Sequence, residues 1–280
     1  MENLIKKLDL NEYITNFSKL FAREKPIILE GDINIHYKII SELSNYNINQ
    51  PSSVQNLDSQ LMHIQKQGIL RVYEIYEFIK IINYFLYLKR FNFEGKLFEW
   101  MDKIIIPNDI LKICEYFDDK ANLKEGVDED FDNIKQAIYK NKEEIKQSLY
   151  KTINSSKIKP YLVDMQVHFI NEQECLLVRG GFNHILSGSV IDRSNSGFFY
   201  VIPHSVSDLK QKQSDLKNKQ EEILFRLCKE ISHIFERNLL FLKFINKEFD
   251  RFDHYQARIF FSKIGDKNFI LPTKKDENKL

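Results

Sequence analysis

Two long helical seams bracketing a stretch of alternating residues constrain this chain more than any other feature. Asp128 is placed to cap a helix whose apolar positions Phe131, Ile134, Ile138, Ile145, Leu149 and Ile153 fall along one side. A second seam runs through Val206, Leu209, Leu216, Ile223, Leu227, Ile231 and Ile234, with Lys, Gln, Glu and Asp on the other faces. Helices this sparsely apolar bury little surface alone, so the two are expected to pair antiparallel. Between them, residues 160–203 change period. Tyr161, Val163, Met165, Val167 and Phe169 alternate with Leu162, Asp164, Gln166 and His168, which predicts a strand. Glu172 and Gln173 read as a turn, residues 175–178 as a second strand, Gly180-Gly181 as another turn, and residues 198–202 as a further strand after the turn-rich run 192–197.

Upstream, helical spacing dominates. Leu4, Leu8, Tyr13, Phe17 and Leu20 predict a first helix, interrupted over residues 26–32. A short helix is expected over 36–43, a polar loop to Ser53, and a buried helix over 72–91, a run dense in Ile, Tyr, Phe and Leu. Pro107 suits a helix first turn, continued over 108–116 by Ile110, Leu111, Ile113 and Cys114. The fold class is therefore mainly α: a helical core over 1–127, an arm over 128–249 and a return to the core over 250–280. The arm comprises a helix over 128–156, a β tip over 160–203 and a helix over 205–249. Such a slender pair holding a small sheet would act as a lever with a contact surface at its end.

Composition narrows the chemistry. Lys plus Arg (41) nearly balance Asp plus Glu (40), so any attraction for phosphate must be local. Cys114, Cys175 and Cys228 are odd in number and far apart, which fits neither a disulfide framework nor a paired-cysteine zinc site and points to a reducing cytoplasm. No apolar run approaches the ~18 residues of a membrane span. The histidines, at 36, 63, 168, 184, 204, 233 and 254, form no HExxH or close metal pair. Asp253 beside His254 reads better as a capping or packing pair than as a base and its orienter, since helix neighbours diverge by roughly 100°. Asp192, Arg193, Ser194 and Ser196 read as turn residues, there being no evident base or oxyanion hole to make them hydrolytic.

Residues 179–216, RGGFNHILSGSVIDRSNSGFFYVIPHSVSDLKQKQSDL, resemble the clamp signature of the second MutS paralogue branch, MutS-two. The matching positions are Gly188, Val190, Asp192, Ser194, Ser196, Gly197, Pro203, Val206 and Leu209. Gln60 to Leu88 resembles that family's core helices, and Phe252 to Phe261 the segment that re-enters the core. Phe199 and Ile202 depart from it, standing where the family commonly has Thr and Glu. The resemblance implies a clamp that grips duplex or branched DNA without sequence specificity, in a homodimeric parent that hydrolyses ATP with Mg. It implies control of recombination, and in some members action on stalled ribosomes. No glycine of this chain fits the phosphate-binding pattern G-x-x-x-x-G-K-S/T: Gly95-Lys96 is followed by Leu97. No ATPase activity or cofactor is expected of this chain itself, which is read as stopping near the boundary with such a domain after Leu271-Pro272, and as a monomer or weak dimer. No Phe-x-Glu element of the mismatch-reading type precedes the core-like helices.

The candidate phosphate contacts cluster where helices meet sheet: Lys157 and Lys159, with Lys151 nearby, approach it, Arg179 and Arg193 lie in turns, and Lys210 and Lys212 leave it. Two rivals stand beside DNA: ribosomal RNA, met through the same contacts, and a coiled-coil scaffold docking a protein partner.

Overall fold

The computed structural model describes residues 7, 9–171, 173–182 and 184–264. The expected positions Leu4, Leu8 and Glu172, and residues 265–280, lie outside them. The chain divides into two compact units, Met1–Lys124 with Leu227–Leu280, and Glu125–Arg226. It is mainly α, with one four-stranded antiparallel sheet.

The first unit holds α1 (Asn11–Ser18), α2 (Ile33–Leu43), α3 (Asp58–Gln65), α4 (Val72–Leu88), α5 (Gly95–Asp102) and α6 (Asn108–Glu115). The last turns of α8 (His204–Arg237) and all of α9 (Leu239–Ile264) complete it. The sequence pattern passed over α3 and α5, eight residues each, which unlike the equally short α6 have no Pro before them to mark a first turn. It also ran one helix through 205–249, where the structure breaks at Asn238, whose amide donates to the Ile234 carbonyl (2.9 Å). A polar side chain that bonds its own helix end competes with continuation of the helix.

Helix α9 is the centre of this unit and packs on α1, α2, α3 and α4. Phe249, Phe252 and Tyr255 are fully buried on it, and Trp100 of α5 stacks on Phe252 and meets Tyr255 edge-on. Buried among these rings are Glu248, Asp253, His254 and Gln256, which must find partners to avoid a large desolvation cost. They do. Trp100 donates to Glu248, Lys25 pairs with Asp253 (2.6 Å) and Asp250 (2.8 Å), and Arg23 reaches Asp250 (2.7 Å). Gln256 donates to the Ile48 carbonyl (2.7 Å), and Arg258 donates to Nδ1 of His254 (3.0 Å).

The second unit begins with α7 (Glu129–Ile153), capped by Asp128, whose carboxylate accepts from the Phe131 amide (2.8 Å). The first part of α8 runs antiparallel to it. Arg226 pairs with Asp128 (2.9 Å) at one end, and Ser148 donates to the Ser205 carbonyl (3.2 Å) at the other. Asn141, fully buried in the seam, donates to the Leu209 carbonyl (3.2 Å) between them. A polar group in an apolar seam rewards one register over its neighbours.

A short 3-10 turn, Lys159–Tyr161, leads into β1 (Leu162–Ile170), followed by β2 (Gln173–Val178), β3 (Gly188–Arg193) and β4 (Phe199–Pro203) in the order β1-β2-β4-β3. Leu162, Leu176, Val178, Val201 and Ile202 share a core with Ile145, Leu149 and Ile153 of α7 and Val206 of α8. The period-two reading of β1 is corrected by a bulge between Leu162 and Val167, across which the buried side changes parity. Leu162 and Val167 therefore both meet the core, while Met165 is 41% and Phe169 67% exposed. Strand β3 was missed because Gly188, Ser189 and Asp192 are poor strand formers. It exists by pairing with β4 at the sheet edge. There Gly188 lies so close to its neighbour that a Cβ would come within 2.3 Å of the Ile202 carbonyl oxygen.

Two outcomes follow. Gly188→Ala forces β3 away from β4 and lowers stability by about 1–3 kcal/mol, the usual range for overpacking, measurable by urea denaturation. Burial, with Arg258 and Lys25 nearby, holds the His254 pKa down at about 4. Unfolding returns it to about 6.5, so the unfolded chain takes up the proton first. Stability from this group is whole above pH ~6.5 and is lost as pH falls toward ~4, by up to about 3 kcal/mol. Over that window His254→Gln shows a shallower pH slope than the parent chain in denaturation midpoints.

Candidate nucleic-acid interface

The sheet register sorts the candidate cations into two groups. Leu162 pairs with Val178, Val178 with Phe199 and Phe199 with Arg193, so these four residues form one transverse row at one end of the sheet. Lys159 precedes this row in the 3-10 turn, Lys157 lies just before it, Arg179 directly follows Val178, and Arg193 is in the row itself. With strands ~4.8 Å apart, a row of four strands spans about 14 Å, a few phosphate spacings. Four of the six candidates thus lie at or beside this end of the sheet.

Local bonds hold this end together. The Arg179 amide donates to the Tyr161 carbonyl (3.0 Å) and its Nε to the Leu162 carbonyl (3.2 Å), which joins the start of β1 to the end of β2. Arg193 lies over the Phe199 ring, 5.3 Å from its centroid. Asp192 belongs to β3, and the turn proper starts later: Ser194 and Phe198 bond in both directions, and the Gly197 amide donates to the Ser194 carbonyl (2.9 Å). Ser196 is in that turn, and Pro203, at the other end of β4, pairs with Gly188.

Lys210 and Lys212 are engaged elsewhere. Lys210 pairs with Glu174, four residues along β2 from the basic row, and Lys212 with Glu144 of α7 (3.5 Å). The Lys210 side chain is 15% exposed. Burial, with Lys217 adding repulsion, holds its pKa below the ordinary ammonium value, and Glu174 is the carboxylate that offsets the charge. The pattern that reveals this pair is Val206, Leu209 and Lys210 on one helix face, set against a strand in which Glu174 shares its side with Leu176 and Val178.

Acids are scarce at the basic end. Residues 145–163 and 175–191 contain no Asp or Glu, while carrying Lys146, Lys151, Lys157, Lys159 and Arg179. Among the described residues no ion pair involves Lys157, Lys159, Arg179 or Arg193. Asp164 is held by His168 (3.0 Å). Sequence reasoning also passed over an aromatic pair here, Tyr161 with Phe182, ring centroids 5.0 Å apart.

At Gly95-Lys96 the local groups are already engaged with carboxylates. The Leu97 amide in the first turn of α5 already donates to the Glu42 carboxylate (2.8 Å), and Lys96 pairs with Glu99 (2.6 Å), so a phosphate there would face two carboxylates. No helix among the described residues is long and apolar enough to cross a membrane.

Because the Lys210 side chain is ion-paired and largely buried while that of Lys159 is exposed and in no ion pair among the described residues, Lys210→Ala lowers stability by about 1–3 kcal/mol by stranding Glu174. Lys159→Ala stays within about 0.5 kcal/mol of the parent chain in the same denaturation series.

No protein-family model matches the chain. It is similar to endonuclease MutS2 of two strains of Helicobacter pylori, 32% and 33% identical over 275 residues, or 96% of this chain. It spans 36% of the length of those relatives. The MutS-two resemblance carried by residues 179–216 thus extends over nearly the whole chain, and what this chain is similar to is one portion of endonuclease MutS2.

Proposed function

We propose that this chain is a nucleic-acid-binding module of the MutS kind, in which the 125–226 unit is the clamp and grips duplex or branched DNA through its phosphates. The observation that carries this reading is the placing of Lys159, Arg179 and Arg193 at one end of the sheet with Lys157 just before it, none of them in an ion pair among the described residues, while residues 145–163 and 175–191 contain no acid. Cations left unneutralised by the fold displace counterions from a phosphate backbone, giving binding that ignores base sequence. The relatives' name, an endonuclease of the MutS family, agrees with a DNA partner. Hydrolysis of ATP is not assigned to this chain, since Gly95-Lys96 sits against Glu42 and Glu99. Recombination control and homodimer formation by a longer protein are further parts of the proposal, drawn from the resemblance.

The test is binding to a short duplex and a four-way junction, by fluorescence anisotropy, across a salt series. Affinity should fall linearly on a log–log plot, and Lys157→Glu with Lys159→Glu should reduce the slope by about 2 and weaken both ligands alike. Lys212→Ala should leave the slope in place. Binding indifferent to salt and to Lys157 and Lys159 would mean a protein-docking scaffold instead, and tighter binding to ribosomes in direct competition would move the target from DNA to ribosomal RNA.

A further inference from the structure

We infer that the Tyr161–Phe182 ring pair is a stacking site for an unpaired base, so that this end of the sheet takes single-stranded nucleic acid in preference to continuous duplex. The inference rests on the nucleic-acid reading above and names the form of strand the same site takes. The two rings lie 5.0 Å apart at 36°, and Phe182 remains 40% exposed. An apolar ring that far out of the core, next to another ring, leaves a face on which a further flat group can lie. Backbone bonds set the pair in place: the Arg179 amide on the Tyr161 carbonyl, and the Phe182 amide on the Arg179 carbonyl (3.2 Å).

Chemistry selects the occupant. Lys157 and Lys159 flank one ring in sequence and Arg179 the other, all exposed, and the segments 145–163 and 175–191 supply no acid. A protein partner offering an aromatic or aliphatic side chain would gain nothing from those cations unless it were itself acidic. A nucleotide brings a π-face and a phosphate within one residue, which is the combination found where single strands run through basic grooves with aromatic platforms. In a duplex the bases are stacked on each other and sequestered, so the rings have nothing to receive and only the cations act. Flaps, gaps and the open centres of junctions expose such bases.

The experiment uses the whole chain and four probes of equal length: single-stranded oligo-dT, the RNA oligo-U, a continuous duplex and a duplex with a single-stranded flap. A fifth probe carries 2-aminopurine in a single strand to report stacking by quenching. Phe182→Leu and Tyr161→Leu keep apolar bulk but remove a ring, and melting curves alongside the parent chain check that the unit still folds. The expected result is about a tenfold loss of affinity for single-stranded and flapped probes, with duplex affinity changed less than about twofold, the salt slope intact and 2-aminopurine quenching abolished. Equal loss of affinity for duplex and single strand, or no loss for either, overturns the stacking site while salt-dependent duplex binding leaves the clamp reading standing. Absence of binding to every probe overturns both. A loss confined to oligo-U sustains the site and assigns it to RNA.

Discussion

Everything proposed for the second unit depends on one burial event, the packing of the sheet against the paired ends of α7 and α8. Ile145, Leu149 and Ile153 from one helix and Val206 from the other meet Leu162, Leu176, Val178 and Val201 in a common core. A four-stranded sheet alone would be marginal in water, and two sparsely apolar helices alone would bury too little. Each supplies the apolar face that the other lacks. Once the register of β1, β2, β4 and β3 is held by that core, the positions of Lys159, Arg179 and Arg193 follow without any bond between them.

The same residue types serve opposite ends in the two units. In the first, Arg23, Lys25 and Arg258 are spent on satisfying Asp250, Asp253, His254 and backbone carbonyls around the buried face of α9. Their charge is neutralised where it stands, and they contribute specificity to the packing of one helix rather than a field at the surface. Lys210 belongs with them, since Glu174 and its own burial hold it in the fold. At the end of the sheet away from Glu174, no ion pair among the described residues involves Lys157, Lys159 or Arg179. A near-neutral chain can therefore present a local positive surface, because neutrality is achieved by pairing elsewhere and not by mixing everywhere.

Periodicity carried much of the architecture. The α7 seam and its Asp128 cap, the helices at 33–43, 72–88 and 108–115, and the pairing of α7 with α8 all rest on i, i+3, i+4 repetition, which is local and therefore readable. Among the eight-residue helices, α3 and α5 were passed over because two turns show few repeats and neither follows a Pro that marks a start, as Pro107 does for α6. Strand β3 was invisible because Gly188, Ser189 and Asp192 leave Val190 and Ile191 too short a run to read as a strand, and its pairing with β4 makes it one.

By itself, then, the sequence determined a mainly helical chain, two long amphipathic helices around a β segment, a set of basic residues near that segment and a likeness to MutS2. Tertiary structure decided which of those cations are ion-paired among the described residues. Lys159, Arg179 and Arg193 are separated by up to 34 positions in sequence and meet only through strand register, while Lys210 and Glu174 meet only because a helix face and a strand face share one core. Periodicity is a property of neighbours along the chain, whereas neutralisation of a charge is a property of neighbours in space, and strand pairing is what converts one into the other.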